Sequence, residues 1–393
     1  MTSGQVRPLW LSAVAHGLAG AVLLRQRLVG KTHLKQVKRV VHVSPSYFGE
    51  GSLIGGGERY AQSLAAAIAE RIDTVLVSFG SRRESYRSGA LAIEVYPVRR
   101  YLQGSSFDPL NLRFVRELVT ADVVHCHQFW TVVSSLAILT GALLGKRVCV
   151  TDEGGRGTSF VDRLRLERLV DWFLPISACS ASSLPVGPRM QVIYGGVDDR
   201  FISAGASDCP KDGVLFVGRL LPHKGVNYLI EAADEKVRVE VIGRAYDSDY
   251  LALLRRLAVG KKVRFVTNAS DEVLAEHYRR AAVTVLPSVY RDVNGRNWQY
   301  PELLGLVLLE SMACRTPVIC TKVGALPEIV EDGVTGYIVS PNDPKALRDR
   351  IHYLISNPEA ARRMGLAGRE RVLRGFSWNS VVARCVAAYT DSL

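Results

Sequence analysis

The chain has 393 residues, 48% hydrophobic and 22% charged, a size and balance that fit two or three globular domains with cores of their own. Its seven cysteines are scattered with no CxxC pair, which excludes a disulfide-stapled secreted scaffold and fits reduced thiols in the cytoplasm. The formal charge of +12 comes with no helix-turn-helix, zinc-finger or RNP-like pattern and no aromatics interleaved among the basic residues, so nucleic acid is not expected as a partner.

The first 49 residues contain no acid and carry Arg7, Arg25, Arg27, Lys31, Lys35, Lys38 and Arg39. Between them runs Leu9 to Leu24, 16 mostly apolar residues. That is shorter than the ~20 a spanning helix needs. Three readings stand: a signal peptide ending near Ala19-Gly20-Ala21, a helix lying on an anionic membrane surface, or a helix packed on the first domain. The surface helix is the one taken forward, with residues 1–38 as a basic extension and the protein peripheral on the inner face of a membrane.

From residue 39 on, short β-branched runs alternate with helix-like stretches, the pattern of parallel sheets with crossover helices. Strands are expected at 39–44, 74–79, 122–127, 147–151 and 173–177. The pattern loosens around 184–213, where Pro185, Gly187, Pro188, Gly195, Gly196 and Pro210 read as a linker. It restarts with strands at 214–218, 238–242, 263–267, 283–287, 317–321 and 337–340. The fold class is therefore α/β, with two doubly wound domains expected over 39–200 and 201–375, facing each other across a cleft. Ligands of such sheets sit beyond the carboxyl ends of the strands, so the residues that follow each strand carry most weight.

Gly55-Gly56-Gly57 follow the first strand and precede a helix-like run, where glycine permits close approach of an anion to free N–H groups, or simply makes a tight turn. His125 and His127 end a strand and share one face, with Cys126 on the other. Either they are core residues or they serve the cleft; a His-Cys-His metal cluster is disfavoured. Gly218-Arg219 and Lys224-Gly225 place two cations at a strand end. They suit a diphosphate, Arg as a fork and Lys as a point charge, or else form a solvated basic loop. Asp247-Ser248-Asp249 matches a metal-holding DxD pattern, but it precedes a helix-like run and reads as an N-cap. No metal or other cofactor is expected.

Pro301 to Glu310 is the sharpest stretch. Leu304 to Cys314 reads as a buried helix, with Glu310 about two turns in, where an unpaired carboxylate is costly. A sugar diol would satisfy it; an ion pair would too. Eight residues of helix would put Glu302 and Glu310 about 80° apart, so Glu302 is assigned to the loop before the helix, meeting one end of a ligand while Glu310 meets the other.

In order and spacing these pieces resemble glycosyltransferase family 4, retaining enzymes of the GT-B fold. The resemblance runs from about residue 39. It rests on Gly55-Gly56-x-Glu58, Asp122 to His127, Val192 to Asp198, Val217 to Gly225, the E-x7-E stretch continuing into Ser311 to Ile319, Gly324 to Gly336, and Phe376 to Trp378. It implies that Arg219 and Lys224 hold a donor diphosphate and that Gly55 and Gly56 close on it. It implies that Glu310 binds ribose, and that Glu302 with the helix start, Leu303, Leu304, Gly305 and Leu306, meets the donor sugar. His127 would lie near the reaction centre, and residues 376–393 would return to the first domain. The implied chemistry is transfer of a sugar, with retention, from a nucleoside diphosphate sugar, a substrate rather than a cofactor. No side-chain nucleophile is evident, so the implied route is same-face attack assisted by the leaving phosphate. The acceptor would be a carbohydrate or lipid-linked hydroxyl, in envelope or exopolysaccharide synthesis. A sugar-nucleotide epimerase and a non-catalytic partner subunit are the alternatives.

The sequence departs from the family where Leu303-Leu304-Gly305 replace Gly-Phe-Gly, and where Arg315 replaces a helix-ending glycine favoured for left-handed backbone. The polar run Arg291 to Tyr300 has no role in this reading. Asp152-Glu153-Gly154-Gly155 lies where an acceptor could enter.

Overall fold

The computed structural model describes residues 36–46, 56–98, 100–102, 108–154, 165–203, 211–267 and 269–392. The basic extension, up to residue 35, and Gly55 lie outside them. The chain forms two compact units. The first comprises residues up to Ile176, Ser180–Ile193 and Val381–Leu393; the second comprises Ser177–Cys179 and Tyr194–Ser380.

The first unit is built on an eight-stranded sheet: β1 (Arg39–Val43), β2 (Asp73–Gly80), β3 (Glu84–Ser88), β4 (Leu91–Pro97), β5 (Val123–His127), β6 (Arg147–Thr151), β7 (Trp172–Phe173) and β8 (Arg189–Met190). The order is β3-β4-β2-β1-β5-β6-β7-β8, with β3 antiparallel to β4 and every other pair parallel. The central strands are buried on both faces, which is why they read as continuous β-branched runs. Alternation assigns each residue a layer. Val75 and Val77 join a core with Val41, Val43, Val124, Cys126 and the helix Val132–Leu143. Leu76 points the other way and packs with Ala61 and Ala65 of the helix Gly56–Ala69.

The second unit has six strands: β9 (Val214–Val217), β10 (Val239–Ile242), β11 (Val263–Val266), β12 (Val283–Leu286), β13 (Val318–Thr321) and β14 (Gly336–Val339). All pair in parallel in the order β11-β10-β9-β12-β13-β14. The order reverses between β9 and β12, the switch point where such sheets bind ligands.

Several expectations need correction. The strand expected at 173–177 is only the two residues of β7, because Pro175 ends its pairing. The hairpin β3–β4 went unread: β3 is a polar, exposed edge without a hydrophobic signature. The linker region 184–213 contains β8 and a helix, Asp199–Ser203. The helix expected from Leu304 begins at Leu306, after Gly305 with φ 94°, so Glu310 is its fifth residue, one turn in rather than two. Among the described residues no helix is long and apolar enough to cross a membrane.

Candidate functional site

In the second unit, glycine geometry builds the site. The 3-10 turn Pro222–Lys224 ends at Gly225, whose φ is 67°. A Cβ on Gly225 would lie 2.0 Å from Pro287 O. Only glycine lets this turn close onto the end of β12, and the closure carries Lys224 to Ser288 and Glu302. Gly324 (φ 53°) does the same from β13: a Cβ there would lie 2.0 Å from Glu302 O. Backbone from two strand ends thus clamps the segment that holds Glu302.

Lys224 Nζ donates to Glu302 Oε1 at 2.6 Å, and Ser288 Oγ donates to the same oxygen at 2.6 Å. Both members of the ion pair are largely buried, with side chains 14% and 8% exposed. Arg219 follows β9 by two residues and is exposed, with no ion-pair partner among the described residues. Leu303 is half-buried, Leu304 buried, and Gly305 and Leu306 open the helix Leu306–Ala313. Glu310 is buried in that helix and accepts from Tyr278 Oη at 2.8 Å, a protein partner besides the sugar diol or ion pair that the sequence suggested. The structure therefore joins Lys224 to Glu302 and sets Glu310 against Tyr278.

Asp247 accepts from the Tyr250 amide at 2.9 Å at the start of the helix Ser248–Leu257, the N-cap that its sequence indicated. Among the described residues no group of three or more His, Cys, Asp or Glu is placed to hold a metal ion.

In the first unit, register puts His42 of β1 opposite His125 of β5, and His127 opposite Thr151. All three imidazoles are fully buried. His127 Nδ1 meets Glu153 Oε1 at 2.5 Å, and its Nε2 meets His42 Nδ1 at 2.9 Å. An ionised carboxylate only accepts, so Nδ1 of His127 carries a proton. His125 meets Tyr389 Oη at 2.6 Å and Thr151 Oγ1 at 2.8 Å. Burial, followed by the neighbouring His127, pushes His42 well below the ordinary histidine range. Burial, then His42 and His127, does the same to His125. Both stay neutral at physiological pH. His127 thus has both ring nitrogens engaged inside the fold. Gly56 opens the helix Gly56–Ala69, and a Cβ on Gly57 would lie 3.3 Å from Glu153 Cβ, so this helix start packs on the same cluster.

His42, Glu153, Ser288 and Tyr278 were not singled out for these contacts. His42 was legible in principle, since it lies near the end of β1, in register with His125 of β5. Ser288 and Tyr278 carried no signal short of the fold itself.

Two family models match. Glycosyltransferase Family 4 covers residues 54–201, and Glycosyl transferases group 1 covers residues 199–371. A D-inositol 3-phosphate glycosyltransferase of Thermobifida fusca is 32% identical over 230 residues, 52% of this chain. The chain spans about half the length of that relative, 50%. An alpha-maltose-1-phosphate synthase of Mycolicibacterium smegmatis is 28% identical over 85% of this chain and 95% of its own length. Among solved structures, sucrose-phosphate synthase from Thermosynechococcus elongatus matches with a TM-score of 0.66 and 22% identity, over 90% of this chain and 99% of its own. HepE of Anabaena, in complex with UDP, matches with a TM-score of 0.68 and 18% identity, over 91% and 100%. With the two models meeting near residue 200, the chain belongs to glycosyltransferase family 4, a family of enzymes.

Proposed function

We propose that the chain transfers a sugar, with retention of anomeric configuration, from a nucleoside diphosphate sugar to an acceptor hydroxyl. The observation that carries this reading is the set of charges at the switch point of the second sheet: exposed Arg219 after β9, with Lys224 and Glu302 paired at 2.6 Å beside the end of β12. Arg219 and Lys224 hold the diphosphate and stabilise the charge that develops as it leaves. The diphosphate competes with Glu302 for the Lys224 ammonium, which frees the carboxylate to accept from donor-sugar hydroxyls near Leu303, Leu304, Gly305 and Leu306. Glu310 accepts from the ribose, alongside Tyr278. His127 acts near the reaction centre and Gly55 and Gly56 close on the phosphates. The two cations serve the leaving group without a divalent metal.

Slow hydrolysis of the donor tests retention without knowledge of the acceptor. Proton NMR of wild-type protein with UDP-glucose or GDP-mannose in EDTA should show the α-sugar appearing first, before mutarotation. Initial release of the β-anomer, or activity only after Mn²⁺ is restored, contradicts the proposal.

The acid-free basic segment before residue 50 supports peripheral attachment to an anionic leaflet, at about 1 kcal/mol per cation near the surface. A lipid-linked or envelope-polysaccharide acceptor would be met there. In a flotation assay with anionic liposomes, the full chain should float at low salt and partly release at high salt, while a chain starting near Val37 stays behind yet binds donor. A full chain that never floats removes the membrane from this reading.

A further inference from the structure

The polar run after β12, to which the reading above gives no role, is an ordered loop. Asp292 is buried and organises it. Its Oδ1 accepts from the amides of Asn294 at 2.9 Å and Arg296 at 3.0 Å, and its Oδ2 accepts from Trp298 Nε1 at 2.8 Å. The Trp298 amide donates to Tyr290 O at 2.7 Å, closing the loop at its base. Tyr290 Oη accepts from the Gly324 amide at 2.8 Å, which ties the loop to the glycine that clamps Glu302.

This loop grips one side chain. The Trp298 ring centroid lies 4.2 Å from that of His223 at an interplanar angle of 39°, and the Arg296 guanidinium sits 4.4 Å from the Trp298 ring centroid. Trp298 is thus held by a cation over its ring while it packs at a tilt against His223. His223 immediately precedes Lys224, and its carbonyl accepts from the Val289 amide at 2.9 Å. His223 is buried, at 5% exposure, yet its Nδ1 has no hydrogen-bond partner among the described residues. Burial, then the Lys224 cation, holds His223 down at about 4, so the imidazole is neutral near pH 7. A buried polar nitrogen without a partner is uncommon in native folds and is destabilising unless a ligand or water completes it. A hydroxyl is the group that completes it in either tautomer, since a hydroxyl both donates and accepts.

We infer that Asp292–Trp298 is a rigid recognition element for the transferred sugar, in which Trp298 holds His223 so that Nδ1 meets a sugar hydroxyl beside the Lys224–Glu302 pair. The inference rests on the donor reading above and deepens it: the bound ligand is a polyhydroxylated group attached to the diphosphate, and His223 discriminates among such groups.

The test separates the sugar from the nucleotide. UDP, UDP-glucose, GDP and GDP-mannose are titrated calorimetrically into wild type, His223→Phe, His223→Gln and His223→Asn, using the base whose diphosphate binds wild type more tightly. Phe keeps a ring against Trp298 and removes Nδ1. Gln offers its amide at the place of Nε2 instead. Asn returns an amide to the place of Nδ1. His223→Phe and His223→Gln should bind the diphosphate within about twofold of wild type and lose about tenfold on the sugar nucleotide, the effect of one hydrogen bond. His223→Asn should recover most of that loss. Should Phe not fold, Gln and Asn alone make the comparison. An equal loss on diphosphate and sugar nucleotide, an unaltered sugar increment in Gln, or no recovery in Asn would overturn the role of His223 while the donor reading stands. Failure of wild type to bind either diphosphate overturns the donor reading and this inference together.

Discussion

The two units treat the polar groups at their strand ends in opposite ways. In the first, β1 and β5 carry three buried imidazoles: His127 meets His42 and Glu153, while His125 lies ring to ring beside both and meets Thr151 and Tyr389. In the second, the residues after β9 and β12 are charged: Arg219 is exposed, and Lys224 and Glu302 neutralise each other at 2.6 Å. Internal hydrogen bonds of this kind hold a core in one packing, although His42 Nε2 is buried without a partner among the described residues. A charged pair at a switch point can exchange one partner for a ligand of the same charge. The same architecture therefore places a buried, hydrogen-bonded imidazole cluster in one unit and a charged pair at a switch point in the other.

The largest expected effect comes from breaking the charged pair. Glu302→Ala leaves Lys224 without a counterion in a largely buried place and should destabilise the protein by about 3 kcal/mol. Lys224→Met combined with Glu302→Leu removes both charges and should regain most of that stability in denaturant unfolding, yet it should bind a nucleoside diphosphate at least about tenfold more weakly than wild type. A double variant as unstable as the single one would make the pair structural, and the contrast between the units would dissolve.

A smaller effect is expected from the imidazole cluster. Glu153→Ala leaves His127 Nδ1 without its acceptor and should cost about 1–3 kcal/mol. UDP affinity should stay within twofold, because the reading above assigns His127 to the reaction centre and not to the diphosphate. A marked loss of nucleotide affinity would show that the two clusters are energetically coupled.

The mildest test uses pH on a charged group of the first unit. Burial raises the Asp391 carboxyl, but hydrogen bonds from Arg147 and Trp172, together with the cations Arg147 and Arg189, outweigh it and hold it at about 2. Arg147 lies at 2.6 Å and Arg189 at 2.7 Å. A carboxyl lowered on folding stabilises the fold above its unfolded value near 3.9 and loses that contribution as pH falls toward 2. The stability gap between wild type and Asp391→Asn should therefore be constant from pH 7 to 5 and shrink below pH 4. A gap that persists at pH 2.5 would assign the contact to neutral hydrogen bonding instead.

Much of this was legible from residue order. The parallel strands announced themselves as β-branched runs because both faces are buried, and β5 put its two histidines on one face by period alone. Arg315 was read at a helix end needing left-handed backbone, and it adopts φ 59° there. What stayed hidden depends on long-range closure. The pairing of Lys224 with Glu302 spans 78 residues and is set by Gly225 and Gly324, whose contacts across the sheet no local pattern reveals. The edge hairpin β3–β4 was missed because an exposed edge strand lacks apolar alternation. The loop 291–298 looked merely polar, since Asp292 satisfies its backbone through contacts within the loop that composition does not encode.

The account turns on whether the second unit grips a diphosphate through its two cations. Isothermal titration of UDP and GDP into wild type and Lys224→Ala measures this directly. A charge-assisted hydrogen bond contributes about 1.5–3 kcal/mol, so the variant should bind the better nucleotide roughly 10- to 150-fold more weakly, with Arg219→Ala showing a loss of the same order. Unchanged affinity in Lys224→Ala would contradict the account.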